Sequence, residues 1–180
     1  MLHALSAIHS TLAPQRLLCV LFAGLSCSAA LGQFVRDAKS ECQQLMNSAL
    51  PLAEQMLQEH GEFFPFALAL NAKGQVVAVA AHDESSPTSE DLIRQLRQIF
   101  VSQAAAGEYR ATALIYDAQV QQPAKGAPAK GVRTDAIAVA LDHRDNYSVV
   151  VFLPYRLEAG KLNLGEMFAQ RGAGEVFAHR

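Results

Sequence analysis

Two strand-like runs separated by four residues constrain the fold most. Thr134 to Asp142 and Tyr147 to Tyr155 are both rich in β-branched and small apolar residues, and Arg144-Asp145-Asn146 lies between them as a turn. Within the second run, Val149-Val150-Val151-Phe152-Leu153 is apolar at every position. A strand with one wet face alternates, whereas an uninterrupted apolar strand is covered on both faces. This run therefore predicts a central strand, and the chain must supply cover for both sides of the sheet.

The rest of the chain is read outward from that pair. Val35, Ala38, Cys42, Leu45, Ala49, Leu52 and Met56 recur at spacings of three and four, so residues 35–58 are predicted to be helical. Pro51 predicts either a kink or a second helix starting there, and Gly61 a stop. Phe66 to Leu70 and Gln75 to Ala81 read as a hairpin around Asn71-Ala-Lys-Gly74. A polar loop from His82 to Thr88 precedes a helix that starts at Ser86-Pro87 or Thr88 and runs towards Gly107. Glu90 and Asp91 lie in its first turn, and Leu92, Ile93, Leu96, Ile99 and Phe100 form its apolar stripe. Arg110 to Val120 reads as a strand. Residues 121–133 hold the tandem Pro123-Ala-Lys-Gly126 and Pro128-Ala-Lys-Gly131, whose Pro and Gly density predicts a flexible loop. Leu162 to Ala169 adds a further strand, and Glu175 to Ala178 a short last one. The expected class is α+β, an antiparallel sheet of about five strands with helices packed on it, in the order α-β-β-α-β-β-β. By topology this resembles the profilin-like and roadblock-like sandwich, which implies no function.

The first 32 residues carry one charged side chain, Arg16. The apolar run Leu17 to Leu25 and the small residues Ser26 to Ala30 follow it, the order of a secretory signal. Cleavage after Gly32 would leave a single α+β domain over 33–180. An uncleaved N-terminal anchor is the alternative, although the run is short of the roughly 20 residues a membrane span needs. A lipid-bearing Cys27 fits less well, because Gly24-Leu25-Ser26 puts the Leu one position out. The expected location is extracytoplasmic, periplasmic or secreted. Without residues 1–32 the chain keeps Cys42 as its one cysteine and so forms no internal disulfide. It then has 14 basic and 17 acidic residues, which argues against a nucleic-acid partner. A membrane is expected as partner only if the N-terminal segment stays attached.

Four segments, GEFFPF over 61–66, AAAGEYRA over 104–111, TDAIAVALDHRD over 134–145 and VFLPYR over 151–156, resemble uncharacterised bacterial domains. The likeness runs from about Glu54 to about Phe168. It implies a bacterial origin and one compact domain, and offers no functional residues to carry over.

Chemistry is sparsely marked. His82-Asp83 and Asp142-His143 each end a predicted strand, and two His with two Asp would suit a zinc-like metal if the strand ends converged. Two separate turn-leading pairs are the plainer reading. Cys42 with His60 as base would make a nucleophile. Yet Cys42 lies on the apolar stripe and His60 is 18 residues on, about 27 Å along a straight helix. Ser85, Ser86, Thr88 and Ser89 lack a nucleophile-elbow context and read as caps and turns. Glu62, Asp135, Asp142 and Asp145 are acidic strand-end residues that cannot all converge. Asn146-Tyr147-Ser148 is a glycosylation sequon. Phe63, Phe64, Phe66 and Tyr155 would line a ligand or partner groove, or else fill the core. No cofactor is expected. The expected function is that of an exported, non-enzymatic domain binding a protein or small ligand. The alternatives are a metal-dependent or hydrolytic enzyme using the strand-end His and Asp residues, and a membrane-tethered assembly protein.

Overall fold

The computed structural model describes residues 37–81, 87–122 and 132–178. The expected leader at 1–32 and the pair His82-Asp83 lie outside them. The described chain is α+β: two helices packed on a seven-strand antiparallel open sheet. Helix α1 spans Ala38–His60 and α2 Ser89–Ala105. The strands are β1 (Phe66–Asn71), β2 (Val76–Val79), β3 (Tyr109–Gln122), β4 (Val132–His143), β5 (Tyr147–Glu158), β6 (Lys161–Leu164) and β7 (Phe168–Arg171). They lie in the order β2-β1-β3-β4-β5-β6, with β7 also beside β5.

Local chemistry accounts for most of the boundaries. Asp37 caps α1 by accepting the Ser40 N–H at 2.7 Å, which holds its carboxyl below the usual range. At the other end Gly61 takes the left-handed conformation, φ 78°, and returns its N–H to Leu57. Pro51 neither divides α1 nor starts a second helix: the 23 residues form one helix. Pro51 is exposed, while Ala49, Ala53 and Leu57 pack inward on either side of it. Thr88 and Asp91 cap α2 reciprocally, as a capping box. Asn71 and Gly74 make the β1–β2 turn, and Asn146, φ 58°, makes the β4–β5 turn.

Three expectations are corrected. The β3–β4 arms reach Gln122 and restart at Val132, so the flanks of the expected 121–133 loop are paired strand; 123–131 lie outside the described residues. The expected strand over Leu162 to Ala169 is two strands. β6 pairs with Tyr155–Glu158 of β5 and β7 with Val149–Phe152, and Pro154, which has no N–H to donate, sits between the two footprints. There Gly165 gives its N–H to the Pro154 carbonyl at 2.7 Å. The expected last strand at 175–178 is a turn instead, because Val176 and Phe177 are buried in the core that α2 covers.

The two faces of the sheet have different covers. Leu68, Leu70, Ala113, Ile115, Ile137, Val139 and Val151 pack with Cys42, Leu45, Ala49 and Leu57 of α1. Alternate residues, Ala67, Ala69 and Leu114, pack with Leu96, Phe100 and Ala104 of α2 and with Val176 and Phe177. The central position predicted for β5 holds, with β4 on one side and β6 and β7 on the other. Among the described residues no helix is long and apolar enough to cross a membrane.

Candidate functional site

Neighbours in β4 project to opposite faces, and this separates Asp142 from His143. His143 turns towards α1 and is 2% exposed. Its Nδ1 accepts the Asp145 backbone N–H at 3.0 Å, so the proton sits on Nε2 and is donated to Glu41 Oε2 at 2.8 Å. The other Glu41 oxygen accepts from Arg110 Nη2. Glu41, 1% exposed, is thus a buried carboxylate with both oxygens engaged. Both nitrogens of His143 are occupied and screened from solvent. Asp142 and His143 therefore point to opposite faces of the sheet, and the pair His82-Asp83, with which they were expected to converge, lies outside the described residues. Among the described residues no cluster of three or more His, Cys, Asp or Glu side chains is placed to hold a metal ion.

Asp142 faces the other way. It stands in register with Thr112 of β3 and Ser148 of β5, three polar side chains in a row across three strands. The row borders a cavity of about 110 Å³ between α2, the sheet and the segment after β7. Phe100, Val101, Leu114, Tyr116 and Val150 supply its apolar wall. The Asp142 carboxylate makes no hydrogen bond or ion pair with any described residue. Arg97 and Glu175 form the exposed rim, bridged at 3.7 Å and half or more accessible, so their attraction is weak.

The segment after β7 closes one wall. Gly172 donates its N–H to the Ser148 carbonyl at 3.1 Å, and Gly174 to Ser148 Oγ at 3.0 Å. A Cβ on Gly172 would stand 2.1 Å from Ser148 Oγ and 2.9 Å from the Val149 nitrogen, so only glycine lets the segment lie this close. Val176 and Phe177 then anchor it in the core beside α2.

The aromatic candidates do not form one groove. Phe63 and Tyr155 are buried core residues, while Phe66 is half-buried, edge-on to Phe63 at 6.0 Å. Phe64 is 66% exposed. The Tyr155 hydroxyl donates to Asp117 Oδ1 at 3.0 Å, and burial pushes it above the ordinary phenol range. Cys42 is 1% exposed, and burial pushes its thiol up to about 12, the state of a packed thiol rather than a nucleophile. His60 lies at the exposed far end of the same helix.

Sequence reading singled out Asp142 as a ligand and Ser148 as part of a sequon, but missed Thr112, Gly172 and Glu41. Glu41 had a signal: it interrupts the buried face of α1, three residues after Ala38 and four before Leu45. No protein-family model, curated protein or solved structure matches this chain.

Proposed function

We propose that the chain is an exported, non-enzymatic domain that binds a small ligand in the cavity between α2 and strands β3 to β5. The observation that carries this is the unpartnered Asp142 carboxylate, lined up with the hydroxyl-bearing Thr112 and Ser148 against an apolar wall. Few convergent polar groups in an apolar concavity is the usual composition of a small-molecule site. Nearby, an acid that serves only the fold has its oxygens filled, as Glu41 does. Export rests on the order of Arg16, the apolar run and the small residues of the leader.

The test is native mass spectrometry of the full-length product expressed in a bacterium and purified from its envelope, beside Ala140→Leu. Ala140 lines the cavity, and a leucine there would fill much of it. The reading expects a mature chain beginning at Gln33 and a small molecule bound to the wild type and absent from Ala140→Leu. A chain retaining residues 1–32 would favour the membrane-tethered alternative over a cleaved leader. No bound species, with no response to a panel of small molecules, would remove the binding reading.

A further inference from the structure

Resting on that reading, we infer that the cavity takes a compact organic cation: a primary ammonium on a short apolar body. Charge is the first reason. Arg97 and Glu175 offset each other at the rim, which leaves the Asp142 carboxylate as the uncompensated charge of the lining. An anion would be repelled. A neutral ligand would strip water from the carboxylate and return no opposite charge, a costly exchange.

Hydrogen bonding is the second reason. An ammonium has three donors and no acceptor. The row offers acceptors only one strand apart: the Asp142 oxygens, the Thr112 hydroxyl and the remaining lone pair of Ser148 Oγ. Thr112, 1% exposed, lines the cavity with a hydroxyl-bearing side chain. A bare divalent ion fits less well. Calcium takes about six to eight oxygen ligands and is usually held by several carboxylates, and among the described residues no three His, Cys, Asp or Glu side chains are grouped to hold a metal ion.

Size is the third. A dry cavity of about 150 Å³ accepts benzene. One of about 110 Å³ accepts about four to five non-hydrogen atoms on that scale. Phe100 and Tyr116 in the wall suit both the alkyl part and the positive head. Such a ligand binds no tighter than about micromolar.

The experiment is an amide NMR titration of the 15N-labelled chain with n-butylammonium, butan-1-ol and butyrate at fixed ionic strength. The ammonium should move the amides of Thr112, Asp142, Ser148 and Gly174 in a saturable way. Butan-1-ol should bind at least tenfold more weakly, and butyrate should leave these amides unmoved. In Asp142→Asn the ammonium should lose at least tenfold in affinity while the rest of the spectrum stays in place. Equal binding of alcohol and ammonium at these amides would overturn the inference and leave the small-ligand reading standing. So would shifts scattered over the surface acids instead of the cavity, or undiminished binding by Asp142→Asn. No saturable shift with any of the three probes would overturn the ammonium assignment and count against the small-ligand reading as well. Should the variant fail to fold, the comparison of the three probes on the wild type decides alone.

Discussion

Glu41 and Asp142 are two carboxylates on opposite sides of one sheet, and their surroundings differ in kind. On the α1 side, Glu41 takes hydrogen bonds from Arg110 and His143, and His143 is itself held by the Asp145 backbone. Both Glu41 oxygens are filled from within the chain, and Arg110 Nε is the buried side-chain atom there that has no partner among the described residues. On the α2 side, Asp142 meets two hydroxyl-bearing residues and borders the cavity. Burial of a charge is tolerable only when partners replace the lost water. Glu41 is buried and takes those partners from within the chain, whereas Asp142 is half-buried and keeps its oxygens open to water or a ligand. A carboxylate therefore points to function less by its identity than by whether its oxygens are filled from within the chain.

The comparison breaks most severely if Arg110 is removed. Arg110→Leu leaves the Glu41 carboxylate buried with one neutral donor, and should cost about 3–5 kcal/mol in urea unfolding. The double change Arg110→Leu with Glu41→Leu should recover much of that loss, because no charge is then stranded. A double variant no more stable than the single one would show that the ion pair itself stabilises the fold.

A smaller effect is expected on the other side. Gly172→Ala drives a methyl into Ser148 Oγ and should cost about 1–3 kcal/mol. Hydrogen exchange should speed up first at the Gly172 and Gly174 amides, and little in α1. Uniform loss of protection would mean that the closing segment is not a separate wall.

The thiol sharpens the contrast from the α1 side. The folded state holds the Cys42 proton up to about 12, against an ordinary value near 9. Raising the pH through that window favours the unfolded chain, which releases the proton earlier, so stability should fall from pH 9 towards 12. Tyr155 acts in the same direction. In Cys42→Ala the alkaline loss should be shallower. Native Cys42 should resist alkylation at pH 8 until denaturant is added. Prompt native labelling would show the α1 side to be open.

The smallest stability effect belongs to Asp142→Asn. With no partner to lose, the fold should change by no more than about 0.5 kcal/mol.

How far this was legible in the sequence differs between the same two sides. The helices, the first hairpin and the β4–β5 pair were legible because caps, turn residues and periodicity are local signals, as at Gly61, Asn71 and Asn146. β6 and β7 were not separated, because their division depends on Pro154, a residue in a different strand. His143 stood out as a titratable residue at a strand end, but its partner Glu41 lies 102 positions away on α1. The cavity depends on strand register, which aligns Thr112, Asp142 and Ser148 from three separate segments, and on a glycine contact at 172 that no local pattern announces. The aromatic cluster was found as a group, yet its members divide between core and solvent, since a stretch entering a strand alternates sides.

The most direct test of the account sets Glu41→Gln against Asp142→Asn in one urea-unfolding series at neutral pH. The account predicts a loss of about 2–4 kcal/mol for Glu41→Gln, because the charge opposite Arg110 disappears from a buried site. It predicts a change near zero for Asp142→Asn, with the unfolding slope unaltered in both. Equal losses in the two variants would contradict it, since Asp142 would then be held by the fold as firmly as Glu41 and would have nothing left to offer a ligand.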